Sequence, residues 1–90
     1  VELPPKLNPV RIGHHRRNDL VLDSPDVGAE AAVIDNDVAG GAGWRLWNRN
    51  GHEVRVGGVA LTARNQYARL LRPRVAVELG PYLLTVCFTP

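Results

Sequence analysis

The sequence predicts an all-β domain, an antiparallel β-sandwich of about ten short strands, on three observations. Short stretches such as Val54 to Val56, Val75 to Leu79 and Tyr82 to Phe88 alternate in side-chain character with the period of two that lays one face of a strand on a core. Turn-forming residues recur between them, in Asp23-Ser24-Pro25-Asp26, Asn50-Gly51, Gly57-Gly58 and Gly80-Pro81. No stretch makes a convincing amphipathic helix. The 90 residues make one small domain. A chain of this size buries roughly 60–65% of its unfolded surface, enough for one core but not two.

Taken in order, Val1 to Pro9 holds Pro4, Pro5 and Pro9, and proline fixes φ and removes a donor. Helix is excluded there, and an extended lead-in at the edge of a domain spanning residues 10–90 is expected. Val10 to Ile12 form a short strand that runs into Gly13. A basic turn follows, His14-His15-Arg16-Arg17, and Asn18-Asp19 closes it, because both side chains bond nearby backbone and tolerate turn conformations. The closure sets the register in which Leu20, Val21 and Leu22 enter a sheet as a buried strand. After the Pro25 turn, Ala29 to Asp35 carries the apolar run Ala31-Ala32-Val33-Ile34, too short for a helix and suited to a buried strand. Asn36 to Gly43 has three glycines and no periodicity, so it reads as a mobile connector.

In Trp44-Arg45-Leu46-Trp47, Trp44 and Leu46 share one face, while Trp47 breaks the alternation and is expected at the strand end. Asn48-Arg49-Asn50-Gly51 predicts a hairpin, since Asn and Gly accept positive φ, with a return strand over His52 to Val56. In that strand Val54 and Val56 face one way and Glu53 and Arg55 the other. Gly57-Gly58 turns into the strand Val59-Ala60-Leu61. Arg64 to Leu71 is open between a helical face of Tyr67, Leu70 and Leu71 and a strand, and its all-β surroundings favour the strand. Val75 and Val77 alternate with Ala76 and Glu78. Tyr82, Leu84, Val86 and Phe88 alternate with Leu83, Thr85 and Cys87, so a hairpin turning at Gly80-Pro81 closes the domain.

The formal net charge is +2, too small to demand a nucleic-acid role, yet ten of the eleven basic residues are arginine. Arginine suits carboxylates and phosphates gripped by two hydrogen bonds, although an alanine- and valine-rich, lysine-poor chain also fits coding bias. The single cysteine, Cys87, excludes an internal disulfide and is expected to act as a small hydrophobe in the last strand. No apolar run approaches the ~20 residues that span a bilayer, and no charged-then-apolar leader opens the chain. The expectation is a cytoplasmic domain with no membrane contact of its own. A chain that begins at Val1 and lacks methionine is expected to be a piece of a longer protein with other domains. Cys87 and Ser24 have no partner base in the sequence, so no enzyme is expected. A metal site would need His14, His15 and His52 to converge, and adjacent histidines on an extended backbone point apart, so none is expected. Gly40-Gly41-Ala42-Gly43 lacks the lysine and helix of a nucleotide loop, and no cofactor is expected.

Gly13, the basic turn and Asn18-Asp19-Leu20-Val21-Leu22 resemble the first signature of the forkhead-associated (FHA) domain, a sandwich of two antiparallel sheets whose loops read phosphothreonine in partner proteins. Leu79-Gly80-Pro81-Tyr82-Leu83-Leu84 is similar to the family's last two strands, and the resemblance runs from about Val10 to Phe88. It implies that the residue after the first glycine is an arginine that grips phosphate; here it is His14. It also implies a Val-Ser-x-x-His loop; here Val27 matches, Gly28 stands for the serine and Ala31 for the histidine. The family's backbone-holding asparagine falls on Gly57 counted from Val56 and Leu61, or on Arg55 counted from Asn50-Gly51, and neither alignment restores it.

Imidazole and hydrogen in place of a guanidinium and a hydroxyl remove several charge-assisted bonds to a phosphate. The resemblance therefore implies a degenerate FHA-like module, non-catalytic, that docks a protein, a peptide or a neighbouring domain independently of phosphothreonine. It further implies a scaffold role in bacterial signalling or a secretion system. Loops on a rigid sheet scaffold are the expected binding face, with His14, His15, Arg16, Arg17, Gly28, Asn50, His52 and Arg55 as its residues. Two alternatives stay open. One is a phosphothreonine-peptide reader with a shifted grip of Arg16, Arg17 and Arg55, aided by histidine charge as pH falls toward ~6.5. The other is a weak nucleic-acid-binding domain, for which no aromatic is interleaved with the basic loop for base stacking.

Overall fold

Strand alternation organises the computed structural model of the chain, which describes residues 9–37, 40–41 and 43–88. These residues form nine strands and no helix: β1 (Val10–Gly13), β2 (Leu20–Val21), β3 (Ala32–Asp37), β4 (Gly43–Asn48), β5 (Val54–Val56), β6 (Val59–Leu61), β7 (Tyr67–Arg69), β8 (Arg74–Leu79) and β9 (Tyr82–Cys87). A five-stranded sheet, ordered β2-β1-β3-β4-β7, faces a four-stranded sheet, ordered β6-β5-β8-β9. The all-β sandwich expected from the sequence is thus the fold. The proline-rich lead-in lies, Pro9 apart, outside the described residues.

The core forms where the inward residues of the two sheets meet. Ile12, Ile34 and Leu46 come from the first sheet and Val54, Leu61, Val77 and Val86 from the second, each almost fully removed from water. Burial of each such side chain stabilises the fold by about 1.5–3 kcal/mol. Trp44 is buried at the rim of this core and lies 6.3 Å, centroid to centroid, from Phe88. The alternation of the closing strands holds: Val77, Leu79 and Val86 are buried while Leu83 is 69% exposed.

Two hairpins form as expected. Gly57-Gly58 joins β5 to β6, pairing Val56 with Val59, and its φ values of +56° and +86° suit a turn that demands left-handed backbone at both positions. Gly80-Pro81 joins β8 to β9, pairing Leu79 with Tyr82. Arg64 to Leu71 contributes a three-residue strand, β7, on the edge of the first sheet.

Other expectations are corrected. Asn48-Arg49-Asn50-Gly51 does not make a hairpin. β4 already has β3 and β7 on its flanks, so the chain crosses there to the second sheet, where β5 pairs with β6 and β8. Trp47 does not break the alternation: Trp44, Leu46 and Asn48 point inward, Arg45 and Trp47 outward. Asn48 hides this pattern because it is a polar residue at a core position. The supposed connector is shorter than expected, since Asn36 and Asp37 extend β3 and pair with Trp44 and Gly43. Within it, Asp37 Oδ1 accepts the Gly40 N–H at 2.9 Å.

The sandwich is not wholly antiparallel. β2 pairs with β1 in parallel, Ile12 opposite Leu20 and Gly13 opposite Val21. Asp19 draws the chain back beside β1, its Oδ2 accepting the Arg11 N–H at 2.8 Å and its own N–H donating to the Arg11 carbonyl at 2.9 Å. β2 is an edge, so Val21 is 45% exposed; of the expected buried strand Leu22 is buried in the core and half-buried Leu20 packs against it.

Candidate functional site

Three loops meet at one end of the sandwich, and backbone hydrogen bonds tie them together. The His14 N–H donates to the Gly28 carbonyl at 2.9 Å and the His15 N–H to the Ala29 carbonyl at 3.1 Å, joining the β1–β2 loop to the β2–β3 loop. Asn18 reinforces the joint through its side-chain amide, which donates to the carbonyls of His15 at 2.7 Å and Ala29 at 2.6 Å. The Arg49 N–H donates to the Ala31 carbonyl at 3.0 Å and brings in the β4–β5 loop. The buried hydroxyl of Ser24 accepts the Asp26 N–H and shapes the turn before Val27. This is the role that its turn chemistry in the sequence indicates.

Asn48 organises the third loop. Its fully buried amide nitrogen donates to the carbonyls of His52 at 2.7 Å and Leu61 at 2.9 Å, while its Oδ1 accepts the N–H groups of Asn50 at 3.2 Å and Gly51 at 2.9 Å. Asn50 Oδ1 in turn accepts the His52 N–H at 3.0 Å. Sequence reasoning placed Asn48 in a hairpin and missed this role. The usable signal was the alternation through Trp44 and Leu46, which points position 48 inward.

The sequence-predicted residues separate into three groups. Gly28, Asn50 and His52 line one narrow crevice of about 10 Å³ between the β2–β3 and β4–β5 loops. The Asn50 amide lies so close over Gly28 that a Cβ added there would overlap its nitrogen. His14, His15, Arg16 and Arg17 form an exposed basic ridge beside that crevice. The Arg17 N–H donates to His15 Nδ1 at 3.1 Å, and neither Arg16 nor Arg17 has an acidic partner among the described residues. Arg55 is apart from both groups. It lies on the outer face of the second sheet, its Nε 3.8 Å from Glu53 Oε2, and it does not line the crevice.

A second feature, not singled out in the sequence, covers the outer face of the first sheet. Arg45 pairs with Asp35 through two hydrogen bonds of 3.0 and 2.8 Å, and its other terminal nitrogen is 3.6 Å from Asp37. Trp47 Nε1 donates to Asp35 at 3.1 Å, and its ring lies 4.6 Å from Tyr67. The Arg45 guanidinium sits over both rings, at 5.1 and 5.7 Å. The hydrogen bond to Asp35, supported by the nearby acidic charges, holds the Arg45 pKa above its ordinary value. These groups satisfy one another along an open trough of about 660 Å³. The register of β3 on β4, Asp35 opposite Arg45, brings the pair together.

Among the described residues, no three of His, Cys, Asp and Glu gather where they could hold a metal ion. Cys87 is half-buried with a free thiol. No helix is long and apolar enough to cross a membrane among the described residues.

Two sheets packed face to face, with three loops gathered at one end, define a β-sandwich. No protein-family model and no curated protein matches the chain. Solved structures do match. One is the MEK1 FHA domain in complex with a phosphothreonine peptide of HOP1, with a TM-score of 0.70 at 17% identity over 88% of this chain and 79% of that one. The chain therefore has the forkhead-associated fold.

Proposed function

We propose that the chain is a non-catalytic protein-interaction module that docks a partner protein, a peptide or a neighbouring domain through its loop end without reading phosphothreonine. One observation carries this reading: the Asn50 amide fills the space over Gly28 and leaves a crevice of only about 10 Å³. A neutral amide thus stands over the position where the family resemblance implies a serine hydroxyl for the phosphate. Two features of the surroundings agree. His14 replaces the arginine that the family resemblance implies, and Arg55 lies on another face, beside Glu53. The structural neighbour binds a phosphopeptide, which favours a protein or peptide as the ligand class here. The exposed ridge of Arg16 and Arg17 then offers the partner unpaired charge on a rigid scaffold. A scaffold role in a bacterial signalling or secretion assembly is part of the same proposal and rests on the family resemblance.

The test is capture of a partner by the immobilised chain from extract with and without phosphatase treatment, repeated with Arg16→Glu/Arg17→Glu. Capture that survives the phosphatase and falls with the double variant is expected. Capture abolished by the phosphatase overturns the reading in favour of a phosphate reader. Capture unchanged by the double variant removes this face.

A further inference from the structure

At the end of the sandwich opposite these loops, a cleft of about 390 Å³ opens between the β5–β6 hairpin and the segment that links β7 to β8. Its apolar residues include Val59, Leu71 and Val75; Leu71 is 82% exposed and Val59 57% exposed. Arg69, Arg72 and Arg74 surround them, and among the described residues no carboxylate lines the cleft. None of the three arginines has an acidic partner among the described residues. Three positive charges on one small cleft exceed the formal net charge of +2 for the whole chain, so the rest of the surface is close to balanced. The hairpin rim is bare, because Gly57 and Gly58 carry no side chains, and an added Cβ at Gly58 meets nothing within 4 Å.

Exposed leucine and valine beside unpaired guanidiniums carry two costs in solution: apolar surface left in water and like charges held close together. One kind of occupant relieves both. We propose that this cleft docks an extended acidic peptide segment of a partner protein, seating an apolar side chain against Val59, Leu71 and Val75 while flanking aspartates or glutamates pair with Arg69, Arg72 and Arg74. Arginine's planar fork matches carboxylates by two parallel hydrogen bonds, which adds geometric selection to the charge attraction. This site is separate from the loop end, and a partner can occupy one without the other.

The test is titration of the isotope-labelled chain with a capped synthetic octapeptide of aspartates, glutamates and two leucines, with a lysine-for-acid version as control. Amide shifts centred on Val59, Leu71, Arg72 and Val75, present only with the acidic peptide and weakened by salt, are expected. Arg72→Glu/Arg74→Glu lowers the affinity at least about tenfold. Leu71→Asp lowers it as well and leaves the fold intact, since Leu71 makes little contact with the core. Arg16→Glu/Arg17→Glu, which changes the net charge by the same amount, lowers it far less. Shifts confined to His14, Gly28 and Asn50 would overturn the proposal, as would no binding. Binding to phosphatidylserine vesicles without binding to the peptide would overturn it in favour of a membrane surface.

Discussion

Asn48 is the residue on which the crossing between the sheets depends. Its side chain makes four hydrogen bonds, two as donor and two as acceptor, and is fully excluded from water. Asn48→Ala leaves two carbonyls and two N–H groups unpartnered near the core, and unsatisfied buried groups cost about 1–3 kcal/mol each before relaxation. We expect a loss of about 3 kcal/mol in urea unfolding, a large part of the stability of a small domain. Asn48→Asp fares little better, because a carboxylate cannot donate to the His52 and Leu61 carbonyls. Arg45 is a milder case. Its pair with Asp35 is only partly shielded, with side chains 21% and 27% exposed. Arg45→Ala is therefore expected to cost about 1 kcal/mol, measured in the same way. Neither role was written in residue type. An asparagine before Arg49-Asn50-Gly51 has the local chemistry of a turn, and only the register of the preceding alternation shows that it faces inward.

The strands were legible where their neighbours in sequence are also their neighbours in space. Gly57-Gly58 and Gly80-Pro81 sit between runs that pair with each other, so turn chemistry and alternation point to the same hairpins. Asn50-Gly51 has equally strong turn chemistry, yet its flanking strands belong to different sheets, a fact set by the long-range pairing of β4 with β7. Likewise the parallel pairing of β2 depends on the Asp19 side chain reaching back to Arg11. Gly13 marks the tightest approach of these elements. A Cβ added there overlaps the Ala29 carbonyl oxygen and comes within 2.9 Å of the Glu30 Cα, both in the backbone of the adjoining loop. Gly13→Ala must push β1 and that loop apart, and we expect about 2 kcal/mol of destabilisation with loss of amide protection at His14 and His15. At Gly28 the obstacle is instead the end of one side chain. Gly28→Ser must displace the Asn50 amide and give up its bond to the His52 N–H, and we expect about 1 kcal/mol of destabilisation.

For the whole molecule, the sandwich was legible because period-two runs and turn residues fill most of the chain, and such patterns bury only one face of each sheet. The candidate site was legible in part. Gly28, Asn50 and His52 do meet, and the basic turn of His14 to Arg17 does lie beside them. Arg55 does not join them, since its position in β5 places it with Glu53 on the outer face. Sequence spacing alone could not separate these cases, because the face of a strand relative to distant loops depends on how two sheets stack. We propose that the loop end carries no phosphothreonine grip. Its most direct test is titration of the labelled chain with a degenerate phosphothreonine peptide library and its unphosphorylated twin, following amide shifts at His14, Gly28 and Asn50. The same shifts, or none, are expected with both libraries. Micromolar, phosphate-dependent shifts at His14 and Gly28 that vanish in Arg16→Glu/Arg17→Glu would contradict it and identify that arginine pair as the phosphate grip.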